Sequence, residues 1–163
     1  MSKYEARVIT VSTRAAKGIW EDTTGPFIAA ALNALNIATG TPVIVEDGAP
    51  VESALRAAIT DGVDLIITTG GTGHSPTDFT PEMTLRVLDR QSPGIAEAIR
   101  AYGTAHGVPT AALSRAVAGI AGKTLIINLP GSMGGVRDGM AVLTPIVEHA
   151  LDQINGGDHA RTE

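Results

Sequence analysis

Short runs of β-branched and apolar residues alternate along this chain with segments that open on a proline or on a polar capping residue. Arg7-Val8-Ile9-Thr10-Val11-Ser12 reads as a first strand. A loop with Gly18, Asp22 and Thr23-Thr24-Gly25 follows, and Pro26 then suits the first turn of a helix running to about Leu35. Pro42 to Glu46 predicts a second strand and Pro50 to Thr60 a second helix. Asp64-Leu65-Ile66-Ile67-Thr68-Thr69 is a third strand, a continuous apolar run of the kind buried on both faces. The βαβαβ alternation predicts a parallel sheet with right-handed crossovers. Thr80-Pro81-Glu82 starts another helix, with Thr80 as cap, Pro81 at the first helical position and Glu82 complementing the dipole. A helix from about Gly94 to Tyr102, a strand from Lys123 to Asn128 and a final helix from about Gly135 to Ile154 complete the pattern. One domain over residues 1–163 is expected, with 1–5 and 156–163 as frayed tails.

Composition narrows the class. Apolar residues make up 44% of the chain but aromatic ones only 3%, so Ala, Val, Ile and Leu must build the core. That favours helices packed on a β-branched sheet over an aromatic-rich β-sandwich. There is no Cys, which excludes disulfides and thiolate metal sites. The N-terminus lacks the apolar run of a signal peptide, and no stretch of about 18 apolar residues predicts a membrane span. A cytoplasmic protein is the expectation. The net charge of −5 argues against a nucleic-acid partner, which needs a concentrated basic face. It does not argue against a phosphorylated ligand, which a helix N-terminus and a few local cations can hold. The mean hydropathy of +0.17 leaves room for a subunit interface.

The chemistry concentrates after the third strand. Thr69-Gly70-Gly71-Thr72-Gly73 lies at the C-terminal end of a parallel strand, the edge where open α/β sheets bind ligands. Glycines let backbone N–H groups approach a phosphate closely, and the two threonines add hydroxyl donors. The loop is neither a P-loop, which needs Gly-Lys-Ser/Thr, nor a dinucleotide fingerprint. Taken alone it is equally consistent with a tight strand-to-helix turn. Asp78 stands just before a helix start, and Asp47 follows the second strand, at the same sheet edge. Two carboxylates beside a phosphate loop suit Mg²⁺, which takes oxygen ligands and keeps several waters. Either Asp alone reads as a turn or capping residue. Asn128-Leu129-Pro130-Gly131-Ser132 opens the last helix, with Ser132 as its cap or as a phosphate donor. His74 sits in the glycine loop without metal-ligand spacing, and His106, His149 and His159 are scattered. Trp20 reads as a packing anchor or part of an interface. Arg14, Arg100, Arg115 and Arg137 are the cations nearest element ends, of which at most two are expected to touch ligand.

These segments together resemble the Mog/MoaB molybdopterin-binding family, whose fold also forms a domain in gephyrin and in plant molybdenum-cofactor proteins. The resemblance rests on Val8 to Ser12, Glu21-Asp22-Thr23-Thr24-Gly25-Pro26, and Thr68 to Gly73 with Asp78-Phe79-Thr80-Pro81-Glu82. Pro93 to Ala98, Ala112-Leu113-Ser114-Arg115 and Asn128 to Ser132 continue it in order. It implies a three-layer αβα fold with a mostly parallel central sheet, and a trimer or hexamer. It implies a Mg²⁺-dependent reaction in which ATP and molybdopterin give adenylyl-molybdopterin and pyrophosphate. The family's two acidic residues important for catalysis fall on Asp47 and Asp78. Its molybdopterin- and phosphate-binding positions fall on Ser12, Thr69, Gly70, Gly71, Thr72, Gly73, Glu97, Asn128, Pro130, Gly131 and Ser132.

Two positions depart from the family pattern. Thr13 stands where an Asp usually follows the first-strand Ser, and Thr77 where an Arg usually precedes the signature Asp. The second exchange forfeits charge-assisted, bidentate phosphate contacts. The terminal phosphate of molybdopterin is anionic at neutral pH and needs no strong general base, so Asp47 and Asp78 are assigned to Mg²⁺ and orientation. Two other readings stay open: a molybdopterin-binding or assembly protein that does not catalyse, and an unrelated flavodoxin-like nucleotide binder.

Overall fold

The structure is a computed structural model that describes residues 1–157. Its elements in chain order are β1 (Tyr4–Val11), α1 (Thr13–Ala16), α2 (Thr24–Ala34), β2 (Ile37–Thr39), β3 (Val43–Val45), α3 (Ala49–Asp61) and β4 (Leu65–Thr69). Then come α4 (Thr80–Leu85), β5 (Arg90–Gln91), α5 (Pro93–Ala105), a 3-10 turn (Pro109–Leu113), β6 (Ala118–Ala121), β7 (Thr124–Leu129), α6 (Met133–Leu143) and α7 (Val147–Ile154).

The strands form one sheet in the order β2-β1-β4-β7-β6-β5, with β3 also paired to β1. β2 and β3 are two pieces of one parallel edge, beside Tyr4–Ala6 and Ile9–Val11 of β1 respectively. Pro42 lies between them, and a proline has no N–H to give to a ladder. The centre of the sheet is parallel, while β6 runs antiparallel to both β7 and β5. Alternate residues face opposite layers. Val8, Ile67 and Ile127 pack under α2, α5, α6 and α7, whereas Ile9, Ile66 and Ile126 pack under α3 and α4. This is the expected three-layer α/β architecture with a mostly parallel sheet, and its core is aliphatic as the composition requires.

Several expectations need correction. β1 begins at Tyr4 rather than Arg7, so residues 4 and 5 are not a frayed tail. Tyr4 is buried and its hydroxyl donates to Asp152 of α7, while the Glu5 N–H donates to Asp64 at 2.9 Å. The final helix is two helices, because Pro145 would put its ring against the previous turn and remove a backbone donor. Thr80 is the first residue of α4, not its cap; Phe79 holds the cap position and the Thr80 side chain is buried. β2, β5 and β6 are unanticipated. β6 is Ala-Gly-Ile-Ala, without the β-branched run that marks a strand, and a Cβ at Gly119 would stand 2.3 Å from the Arg90 carbonyl oxygen of β5. At the C-terminus, Gly156 and Gly157 return N–H bonds to Gln153 and Asp152 at 3.0 and 2.8 Å, closing α7. The rest of the expected tail, residues 158–163 with His159, lies outside the described residues.

Register fixes what matters for function. Val11 pairs with Val45, Thr10 with Thr69, and Thr69 with Leu129, so the chain leaves β1, β3, β4 and β7 at one edge of the sheet.

Candidate functional site

The loop after β4 turns so sharply that only glycine serves. Gly70 and Gly71 have φ of 102° and 66°, in the left-handed region. A Cβ on Gly70 would lie 2.2 Å from the Val11 carbonyl oxygen. One on Gly71 would lie 2.2 Å from Thr80 Oγ1 and 2.6 Å from Asp47 Oδ2. The Thr80 N–H donates to the Gly71 carbonyl at 3.1 Å, which pins the loop to the start of α4. Among the described residues, no acceptor takes the N–H groups of Gly71, Thr72 or Gly73.

Arg115 braces this loop from outside. Its backbone N–H donates to Thr72 O at 2.8 Å, Nε to Gly73 O at 2.8 Å and Nη2 to Asp78 O at 2.7 Å, while Nη1 pairs with Glu82. The planar fork that could have gripped a phosphate is spent on the protein's own chain. Glu82 is held below its ordinary value by that hydrogen bond, against a smaller opposing effect of burial.

The two candidate acids flank the glycines. Asp47 Oδ1 accepts N–H bonds from Gly48 at 2.7 Å and Phe79 at 3.0 Å, leaving Oδ2 against Gly71. Burial pushes its carboxyl up, with the charges of Asp78 and Glu82 adding to the push and the two N–H bonds opposing it. Asp78 Oδ2 accepts the Ser75 N–H at 3.1 Å and lies 2.8 Å from where a Cβ of Gly73 would be. Thr13 accepts the Asp47 N–H at 3.4 Å, so its side chain adjoins Asp47. Among the described residues the Thr77 hydroxyl bonds to the Ser75 hydroxyl, at 3.2 Å.

Two cavities open on opposite sides of this loop. The first, of about 420 Å³, is bounded by the glycine loop, Asp78, α5, the 3-10 turn and the start of α6. The second, of about 380 Å³, is bounded by the end of β1, Ser12, Trp20 to Thr24, Thr69 and Gly70. They share Gly71 and Gly131. The shared wall is thin because a Cβ on Gly131 would sit 3.2 Å from Gly70 Cα.

The remaining sequence candidates divide sharply. Pro130, Gly131 and Ser132 line the first cavity, and Ser132 Oγ accepts the Gly135 N–H at 3.1 Å, capping α6. Ser12 lines the second cavity and caps α1 through the Ala15 N–H at 3.1 Å. Thr69 donates its hydroxyl to Pro130 O at 2.8 Å, tying the two loops together. Asn128, by contrast, cannot meet a ligand. It is fully buried, donates to Thr68 and Thr84 hydroxyls at 2.9 and 3.0 Å, and accepts the Val117 N–H at 3.2 Å. A buried amide so satisfied is a cross-link between layers. Glu97 is exposed and lines neither cavity, since it precedes the part of α5 (Ile99, Arg100, Gly103) that faces the first one.

Sequence reading missed Asp138 and Asp22. Asp138 reaches the first cavity by helical spacing from Ser132 and Gly135 on one face of α6. Asp22 lines the second but is committed to the Thr10 hydroxyl at 2.8 Å and the Gly25 N–H at 3.0 Å. Trp20 is exposed at the mouth of the second cavity, with the Arg14 guanidinium 4.3 Å over its ring.

The family model described as "Probable molybdopterin binding domain" matches residues 7–149. A "Molybdopterin adenylyltransferase" of Helicobacter pylori (strain ATCC 700392 / 26695) is 39% identical, over 96% of this chain and 90% of that protein. A "Molybdenum cofactor biosynthesis bifunctional protein" of Synechococcus elongatus is 41% identical over 94% of this chain, which spans only 48% of that longer protein. Among solved structures, the molybdopterin biosynthesis Mog protein from Mycobacterium ulcerans is 54% identical, with a TM-score of 0.88 over 93% of this chain and 99% of that one.

Proposed function

The chain belongs to the Mog/MoaB family of molybdopterin-binding proteins of molybdenum cofactor biosynthesis, and from that premise we propose that it transfers AMP from ATP to the terminal phosphate of molybdopterin. The observation that carries this reading is the pair of cavities meeting at Gly71 and Gly131. Each is large enough for a ring system, and the shared wall offers unbonded backbone N–H groups where two phosphorylated ligands would bring their phosphates together.

The reaction joins a phosphate oxygen of molybdopterin to the α-phosphorus of ATP. The bond from that phosphorus to the bridging β-oxygen breaks, and pyrophosphate leaves with the electron pair. The attacking oxygen is already ionised, so positioning and charge stabilisation carry the catalysis. Gly71, Thr72 and Gly73 supply N–H donors from a loop that Arg115 and Thr80 hold fixed. Pro130 to Ser132 close the opposite side, and Ser12 faces the nucleotide side.

The donor set fits Mg²⁺. The described residues contain no cluster of three His, Cys, Asp or Glu side chains, and Mg²⁺ commonly takes one or two carboxylates and keeps its waters. Asp47 and Asp78 would hold it, and a cation there would offset the burial and the neighbouring Asp78 and Glu82 charges that push the Asp47 carboxyl up. When bound, the ion offsets charge between the two anionic substrates. We also infer a homo-oligomer, trimer or hexamer, working in the cytoplasm. The exposed Val43, Ile44, Phe79 and Leu85 give it apolar surface to bury.

A second reading, a binder that does not catalyse, is favoured by one observation: Thr77 brings no cation to the loop. Mixing the protein with ATP, molybdopterin and Mg²⁺ separates the two. Pyrophosphate equal to the pterin consumed supports the transferase, whereas retained pterin without pyrophosphate overturns it.

A further inference from the structure

The wall of the first cavity holds one carboxylate that the proposed phosphate chemistry does not use. Asp138 lies in the second turn of α6 and lines the cavity opposite α5. Its Oδ2 is directed across the gap, 3.7 Å from where a Cβ of Gly103 would stand. No hydrogen bond or ion pair within the described residues occupies it. The nearest cation on that wall, Arg100, gives Nη1 to the carbonyls of Ser114 and Ala116 at 3.1 and 2.9 Å. Ile99, Val108 and Leu113 make the neighbouring surface apolar. A half-buried carboxylate without a partner beside an apolar surface is free to accept from a ligand with matching donors.

We propose that Asp138 reads the 2-amino-4-oxo edge of the pterin ring and so determines which of the two substrates enters the first cavity. The inference rests on the molybdopterin reading given above. A pterin presents two adjacent, coplanar donors, N3–H and the exocyclic 2-amino group. A carboxylate takes two parallel N–H bonds of that kind in a bidentate pair. Adenine has no such edge: its 6-amino donor is flanked by acceptor nitrogens, which would face a carboxylate oxygen with repulsion. Asp138 therefore accepts the pterin and refuses the nucleobase. On the wall of the second cavity Asp22 is already held by Thr10 and Gly25, and Glu21 is exposed to solvent. The pterin phosphate then reaches back to the shared Gly71 and Gly131 wall, where the ATP phosphates arrive from the other side.

The test uses the whole chain and two fluorescent probes, 6-hydroxymethylpterin phosphate and its 2-oxo analogue, the lumazine. Lumazine keeps N3–H but replaces the 2-amino donor with a carbonyl acceptor. Wild type is expected to bind the pterin at least tenfold more tightly than the lumazine. Asp138→Asn offers one acceptor and one donor, so it should lose about tenfold to a hundredfold in pterin affinity and invert the preference toward lumazine. Its KM for ATP should be unchanged. Asp138→Glu, which keeps the charge, should keep the order of preference. A structural role for Asp138 would weaken both probes equally. Equal weakening, or an unaltered pterin preference in Asp138→Asn, overturns the proposal while leaving the molybdopterin reading standing. Failure of wild type to bind the pterin probe overturns that reading and the inference with it.

Discussion

The two edges of the central sheet treat their charges in opposite ways. At the N-terminal edge Asp61, Asp64 and Asp152 each have a donor, two of them a cation. Lys3 and the Tyr4 hydroxyl close on Asp152, Arg7 meets Asp61 at 3.1 Å, and Asp64 takes the Glu5 N–H. Asp152 is accordingly drawn below its ordinary value by its hydrogen bond from Lys3. At the C-terminal edge Asp47 is pushed up, and among the described residues Asp138 has no partner and backbone N–H groups of the glycine loop stand unbonded. The first edge uses polar groups to hold the fold together. The second holds its Asp47 and Asp78 carboxylates by backbone N–H groups alone and leaves other polar groups open, which the proposed ligands would complete. Unpaired polar groups opposed by the local environment are the usual mark of a site.

The largest expected effect breaks the second edge chemically. Asp78→Asn keeps an acceptor for the Ser75 N–H, so it should fold like wild type while AMP transfer falls by about a hundredfold or more. Wild-type-like turnover, measured as pyrophosphate release, would remove Asp78 from the site. Next comes the loop geometry. Gly70→Ala adds a methyl group 2.2 Å from a carbonyl oxygen at φ 102°, and should cost on the order of 2–4 kcal/mol in urea unfolding. The same substitution at Gly40, with nothing within 4 Å of its Cβ, should stay within about 0.5 kcal/mol.

An Arg→Lys exchange compares the edges directly. Arg115→Lys cannot reproduce contacts to Gly73, Asp78 and Glu82 from one planar fork, and should lower both stability and turnover, the latter by about tenfold. Arg7→Lys, a single exposed pair with Asp61, should be close to neutral in both.

The smallest effects are opposite in sign. The Asp47 carboxyl is raised above 3.8, so its favourable contribution exists below that pH and is lost as pH rises through the folded value. At neutral pH its charge opposes folding, and Asp47→Asn should raise the Tm at pH 7 but not at pH 3, even as turnover falls. Asp152 is lowered, so its contribution exists above 3.8 and is lost as pH falls through the folded value. Asp152→Asn should therefore lower the Tm at pH 7 and converge with wild type in acid. Tm shifts of the same sign for both variants would end the contrast between the edges.

The sequence showed the glycine loop, both acids and the last-helix loop because each depends on local pattern: a strand end, a missing Cβ, a capping residue. It could not show that Asn128 is turned inward, since its partners Thr68, Thr84 and Val117 come from three separate segments. It also could not show that Arg115 is consumed as a brace, or that Glu97 lies off the cavity, because both depend on how α5 and the chain before β6 dock. Asp138 was legible only as one turn of a helix face whose direction the fold decides. The break at Pro145 was readable from the residue itself. The strand β6 was not, because its small residues pair through backbone alone.

The most direct measurement of the central claim is a single-turnover reaction of the wild-type chain with ATP labelled at the α-phosphate, molybdopterin and Mg²⁺, with both products followed in time. The account predicts that label enters the pterin at the rate pyrophosphate appears, one for one. Pterin held by the protein with all label remaining in ATP would contradict it.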